Sequence, residues 1–387
     1  MPADIADPRV FPEGVDAAHA SLIELAQASL AAQTATRAEQ IGRALTTALV
    51  ERLRSGEALL LAEVVAAAPS PAIARALWRS LIDAWAHATR DGASGVAATL
   101  FALPVIIVAG REGGRGDDVE AAPALPGVLS DTARLAAIMR EHRALAGNET
   151  FGFSVALVAS DEIDVPKLPD LLAWQRLAVD AGAVERDLPP TPIAVQSGQQ
   201  GVHLRFLIGT ALAAPGADLL SASDVAGWAM PLARELARQL ALPGVSVLAL
   251  PRAPQSPPVA LQHGRSAQRE VGVQLFASNA IRKLRSAVGE PSAVISAHRC
   301  NAAPGGGELR LSLSSPFDPR QAEGFRCPLF PTDRAGDVAT MLLDLLRDCR
   351  VTDVRILSGV HPDCDPQTGV MLLFKPDQAE GIEPTLH

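Results

Sequence analysis

Apolar residues recur every three to four positions through the first 95 residues, a spacing that predicts amphipathic helices. One such run extends from position 41 to position 53, behind a capping-box pattern formed by Thr36 and Glu39. Another opens with Ser70 as the expected N-cap and Pro71 at the first helical position, where its missing N–H costs nothing. Residues 1–95 are therefore predicted to form an all-helical region of three or four helices.

From Val96 onward, short apolar runs alternate with amphipathic stretches, which is typical of the α/β class, or of an α+β fold, with mixed sheets. Strands are predicted near residues 98–109, 151–159, 202–213, 245–250, 291–299, 307–315, 352–359 and 368–375. Helices are predicted near residues 130–145, 168–183, 223–241, 260–287 and 334–348. Proline-rich and polar stretches at 184–201 and 251–259 indicate linkers. The predicted domains are 1–95, 96–250 and 251–387, the last with a long helix followed by a ββαββ order.

Three helix starts resemble one another and suggest an internal repeat. They begin at Asp131, Asp224 and Asp337, and each lies between two predicted strands. One interpretation is a βαβ unit present in three copies. The other is that aspartate is favoured at helix starts by capping and by the helix dipole, so that similar starts arise independently. Both interpretations are open at the level of sequence.

Composition and charge narrow the class of protein. The chain has 387 residues, 48% of them hydrophobic and 20% charged, which excludes a disordered protein. A net charge of −9 argues against DNA binding, which needs a concentrated positive field. No secretory signal or membrane-spanning run is visible, so we expect a soluble protein in the cytoplasm, with its four cysteines reduced.

The run "LPVIIVAGREGGRGDD", residues 103–118, poses the question of a phosphate-binding loop. The glycines at 110, 113, 114 and 116 do not match the Walker or dinucleotide spacing, and Asp117 and Asp118 follow where phosphate would be repelled. The helix predicted near residue 130 also begins too far away to place its N-terminus behind the loop. The pattern therefore favours a surface loop, and no cofactor-binding residue is predicted in it.

Acidic residues cluster after predicted strands, where α/β proteins commonly bind ligands. One hypothesis is that Asp161, Asp164, Asp363 and Asp365 converge in one cleft, where they would hold Mg²⁺ or a small ligand. The alternative is that aspartate is a common turn residue in an acidic protein.

Histidine and cysteine pairs in the last quarter suggest a metal site. His298 and Cys300 lie two residues apart on a predicted strand, and His361 and Cys364 lie three apart in a turn. Together they would provide a Cys₂His₂ zinc set, although no C-x₂-C knuckle is present. The alternative is ordinary thiols, and Cys327 and Cys349 are expected to be small hydrophobic residues.

The C-terminal two-fifths resembles a proteobacterial family of proteins of unknown function. The stretches that carry the resemblance are "QREVGVQLFASNAIRKLR" (268–285), "FRCPLFP" (325–331) and "LLDLLRDCRVTDVRI" (342–356). Family members continue into a paired-cysteine segment, whereas this chain has only Cys364 there. The resemblance covers about 120 residues and implies no activity.

The absence of catalytic spacing favours a non-catalytic protein-binding, scaffold or regulatory role. Trp78, Trp85 and Trp228 lie on predicted helices, and we expect them to provide apolar surfaces for a protein partner or for self-association. A metal-dependent or small-ligand enzyme using strand-end carboxylates is the first alternative, and a zinc-containing regulatory protein is the second. Any cofactor, zinc or magnesium, is unknown from the sequence, as is any catalytic residue.

Overall fold

The structure, a computed structural model, confirms the α/β class with an N-terminal helical region. It describes residues 5–9, 17–89, 97–110, 129, 131–145, 152–181, 200–213, 225–241, 246–299, 307–315 and 322–360. The chain divides into two compact units, a division that does not follow the three predicted ranges. The larger unit contains residues 16–66 and 76–268, and the smaller unit contains residues 1–15, 67–75 and 269–387.

The described part of residues 1–95 contains four helices: α1 (Ala17–Ala31), α2 (Ala35–Ser55), α3 (Ala58–Ala66) and α4 (Pro71–Ala88). Helix α2 buries the predicted face, but its N-cap is Thr34, whose hydroxyl accepts from the Arg37 amide at 3.3 Å. The predicted capping box at Thr36 is therefore wrong by two residues. The predicted cap of α4 is confirmed, because Ser70 Oγ accepts from the Ile73 amide at 3.3 Å.

The larger unit contains a four-stranded sheet in the order β2-β3-β1-β4, with antiparallel neighbours throughout. Its strands are β1 (Ala97–Gly110), β2 (Gly152–Ala159), β3 (Gln200–Ala213) and β4 (Ser246–Pro251). Its further helices are α5 (Thr132–Glu141), α6 (Leu168–Ala181), α7 (Val225–Gln239) and the first part of α8 (Pro257–Val288). The side chains of β1 are buried on both faces of the sheet. Helices α5 and α7 cover one face, and other helices cover the opposite face.

The smaller unit contains a mixed sheet in the order β7-β6-β5-β8, in which β5 and β8 are parallel. Its strands are β5 (Ser292–Arg299), β6 (Gly307–Ser314), β7 (Ala322–Leu329) and β8 (Val354–Val360), and helix α9 spans Ala335–Asp348. One face of this sheet is apolar and packs against the second part of α8 and against α9. The pattern analysis missed β7, and the predicted strand at 368–375 lies outside the described residues.

The first two predicted βαβ units share one topology. Strands β1 and β2 are both antiparallel to β3, and β3 and β4 are both antiparallel to β1, so each helix connects parallel strands with one strand between them. The third unit differs, because β7 intervenes before α9, and β7 and β8 lie at opposite edges of their sheet. The three units are therefore not equivalent in strand arrangement.

An N-terminal segment, residues 5–9, crosses one end of the smaller unit's sheet. Ile5 joins the apolar core, and the Ala6 amide donates to the Ser358 carbonyl at 2.9 Å. Arg9 donates to the carbonyls of Phe330 and Asp333, each at 2.6 Å, and so holds the turn that follows β7.

No helix in the described part of the chain combines the length and the apolar character that a membrane-spanning helix needs.

Candidate functional site

The two described carboxylates of the predicted cleft lie after β2, in short 3-10 turns. The carboxylate of Asp164 accepts from the Val165 amide at 2.7 Å and forms an ion pair with Arg265 at 2.6 Å. Asp161 interacts electrostatically with Arg205 on β3. Asp363 and Asp365 lie outside the described residues, as do Asp117, Asp118 and the glycine-rich loop at 111–118. Convergence of the four carboxylates in one cleft therefore stays a prediction. The contacts of Asp164 are those of a turn cap with an arginine partner.

One of the four predicted zinc ligands falls within the described residues. His298 lies on β5, is 1% exposed, and has its Nε2 2.8 Å from Ser296 Oγ. Cys300, His361 and Cys364 lie outside the described residues, so the zinc set stays a prediction. Within the described residues, no group of three or more His, Cys, Asp or Glu side chains is placed to hold a metal.

The tryptophans do not provide the expected apolar surfaces. Trp78, Trp85 and Trp228 are buried, and Trp228 is part of the core between the first sheet and α7. The interpretation that they face a partner is wrong, because their helices turn these large side chains inward. Cys327 behaves as the small hydrophobic residue expected, since it is buried in the smaller unit's core, where burial raises the pKa of its thiol to about 12.

A buried polar array lies on the face of the second sheet opposite the apolar core. The strand register places Ser296 opposite Arg310 and His298 opposite Glu308. Since side chains alternate along a strand, these four residues share one face while the intervening leucines and alanines line the core. All four are at most 6% exposed. We call this set the polar array.

An ion pair forms the centre of the polar array. Glu308 Oε1 accepts from Arg310 Nε at 2.6 Å and lies 2.5 Å from Nη2, with both side chains 7% exposed. Within the part of the chain that the structure describes, Arg310 Nη1 is buried and has no hydrogen-bond partner. A buried donor without a partner is uncommon, and on a charged group it is costly.

The polar array becomes more exposed toward β7. Arg326 lies directly opposite Arg310 in the register and Pro328 opposite Glu308, and both of these β7 residues are exposed. One side of the array is therefore closed and charged, while the neighbouring strand is open to solvent. Sequence reasoning missed Glu308 and Arg310, although the strict alternation "GELRLSLS" indicated that one face of this strand is polar.

A second unusual surface is the outer edge of β4, which pairs only with β1 among the described residues. The Arg252 amide donates to the Pro104 carbonyl at 2.9 Å, so these two residues form a hydrogen-bonded pair. Because such pairs alternate along an antiparallel ladder, the backbone groups of Val247 and Ala249 point away from β1. Leu248 and Leu250 are 55% and 38% exposed. We call Ser246–Pro251 the β4 edge.

A third cluster lies at the start of β3 in the larger unit. His203 and Arg205 lie opposite Ile107 and Val105, on the face that α5 and α7 cover. Burial, and then the charge of Arg205, lower the pKa of His203. The imidazole is therefore mainly in its neutral form at pH 7.

No protein-family model matches the chain, and neither curated proteins nor solved structures include a significant match to it. Function must therefore be inferred from the residues themselves.

Proposed function

We propose that the chain is a non-catalytic cytosolic protein that binds an extended segment of a partner protein along the β4 edge. The observation that carries this proposal is the pair of exposed leucines, Leu248 and Leu250, on a strand whose outer backbone groups are unpaired among the described residues. Edge strands in isolated proteins are usually protected by charges, bulges or a covering element. An exposed apolar edge is instead typical of a surface that takes an added strand.

The geometry of the edge determines what it binds. The amides and carbonyls of Val247 and Ala249 supply main-chain hydrogen bonds, which are independent of the partner's side chains. Leu248 and Leu250 lie on one face and select apolar residues at alternate positions of the partner. Pro251 lacks an N–H and limits the added strand at that end. The partner segment is therefore short and extended, with apolar and polar residues alternating.

The alternative functions have weaker support. An enzyme built on strand-end carboxylates would need an available Asp164, which instead caps a turn and pairs with Arg265. The zinc hypothesis depends on three residues outside the described part of the chain.

The proposal is tested with a library of fluorescent octapeptides in which apolar and polar residues alternate, monitored by fluorescence anisotropy. We expect a subset to bind, and to protect the amides of Val247 and Ala249 from hydrogen exchange. Leu248→Lys should weaken binding by about tenfold, since it places a charge where an apolar contact forms. Leu30→Lys is the matched control, because Leu30 is 53% exposed on α1 of the same unit and should leave binding unchanged.

Two outcomes would contradict the proposal. One is peptide binding that Leu248→Lys and Leu250→Lys do not weaken. The other is reversible self-association of the wild-type protein in sedimentation experiments, abolished by Leu248→Lys, which would make a second copy the occupant of the β4 edge.

A further inference from the structure

The polar array in the smaller unit contains a charged group whose bonding is incomplete. Glu308 occupies the Nε and Nη2 side of the Arg310 guanidinium, and both contacts converge on one carboxylate oxygen, Oε1. A guanidinium offers five donors in a planar fork, so the Nη1 side remains for another acceptor. Nη1 is buried and has no partner within the described residues. The side chain is 7% exposed, so water reaches it poorly.

We infer that Arg310 is the centre of a binding site for the carboxylate or phosphate group of a small molecule. An oxyanion is the ligand that fits, because its oxygens accept two parallel bonds from a guanidinium fork. It would satisfy the buried donor and remove the penalty of leaving it unpaired. This site lies in the smaller unit, is separate from the β4 edge, and does not depend on the function proposed above.

Strand β7 places a second guanidinium near the polar array. Glu308 neutralises Arg310, so the pair alone supplies no net positive charge. Arg326 lies directly opposite Arg310 on β7 and adds a second guanidinium at the open side of the array. The body of the ligand therefore extends over β7 toward solvent, while its oxyanion reaches inward to Arg310.

The neighbouring strand supplies further polar groups. Ser296 is directly opposite Arg310, and its hydroxyl is 2.8 Å from His298 Nε2. The hydroxyl donates to the imidazole when Nε2 carries no proton, and accepts from it when Nε2 is protonated. Ser296 is a positioning residue here, since it fixes the ring of His298 beside the ion pair. No chemical step is assigned to these residues.

The test uses the full chain and two probes, inorganic phosphate and succinate, in calorimetric titrations at constant ionic strength. We expect at least one probe to bind. Arg310→Lys keeps a charge but loses the planar fork, and should weaken binding by about tenfold or more. Arg326→Gln changes an exposed residue and should weaken binding by about threefold. Arg347→Gln, on the exposed surface of α9, is the control and should leave affinity unchanged.

If Arg310→Lys does not fold, the affinity of Arg326→Gln for the two probes still tests the inference. Absence of binding by both probes to folded wild-type protein would overturn the inference. Binding that neither Arg310→Lys nor Arg326→Gln weakens would also overturn it. Tighter binding of succinate assigns a carboxylate ligand, and tighter binding of phosphate assigns a phosphate ligand.

Discussion

Two helical glycines in the larger unit have different surroundings, so the same substitution should stabilise the protein at one position and not at the other. A methyl group built on Gly264 of α8 lies 2.8 Å from Phe206 Cζ and 3.0 Å from Leu204 Cδ1. A methyl group built on Gly42 of α2 has nothing within 4 Å. Phe206 is fully buried on β3, so its ring has little room to move.

The magnitudes follow from two effects. Replacing glycine by alanine inside a helix stabilises the folded state by about 0.5–1 kcal/mol, because glycine loses more backbone entropy on folding. This effect acts alone at Gly42. At Gly264 it is opposed by overpacking, which costs about 1–3 kcal/mol when a well-packed core must shift. Gly264→Ala should therefore be less stable than Gly42→Ala by about 1–3 kcal/mol.

Thermal unfolding followed by circular dichroism measures the difference. For a unit of this size, about 1 kcal/mol corresponds to about 2–4 °C in Tm. We expect Gly42→Ala to raise the Tm by about that amount, and Gly264→Ala to leave it unchanged or lower it. An equal rise in both variants would refute the close packing of α8 against Phe206. Urea unfolding should give the same order of stability.

Three further predictions concern the smaller unit. Arg9→Ala should reduce the free energy of unfolding in urea by about 1–3 kcal/mol, since it removes an ion pair and hydrogen bonds to part-buried groups. Arg347→Ala, at an exposed position, should change it by less than about 0.5 kcal/mol. Burial alone would raise the pKa of Asp7, but the hydrogen bonds and charge of Arg9 lower it below 3.8. The wild type should therefore lose this stabilisation as the pH falls below 3.8, and the stability of Arg9→Ala should fall less over the same pH range. Cys327 should resist alkylation at pH 8.5 until the protein unfolds, as measured by mass spectrometry, and modification at the rate of Cys349 would contradict its burial.

Most of the secondary structure was predictable because it depends on local periodicity. Helix α2 buries Leu45, Leu49 and Leu53, as their four-residue spacing requires. Strand β7 was not predicted although Phe325, Cys327 and Leu329 alternate toward the core, because Gly324 and Pro328 interrupt the segment and both residues are unfavourable inside strands. Strand order was not predictable, since pairing depends on contacts between distant parts of the chain.

The polar array was not predictable, because the burial and the strand register that define it do not follow from the local sequence pattern. In "GELRLSLS" the alternation of leucine with polar residues indicates a strand with one face in solvent. The structure buries that face, with Glu308 at 5% and Arg310 at 6% exposure. The register then places His298 opposite Glu308, a pairing between residues ten positions apart in the chain. The sequence contains the residues but not the environment that makes them unusual.

Stability alone does not account for the polar array or for the β4 edge. Replacing a buried ion pair by well-packed apolar residues is often neutral or stabilising, so Glu308 and Arg310 contribute little that leucines would not, and Nη1 adds a cost. Lysine at position 248 would protect the β4 edge better than the exposed leucine does. Departures of this kind from the most stable arrangement are expected where a protein binds something. The proposed anionic ligand would complete the hydrogen bonding of the buried guanidinium, and the proposed polypeptide partner would cover the exposed apolar strand, so each surface is complementary to a different partner.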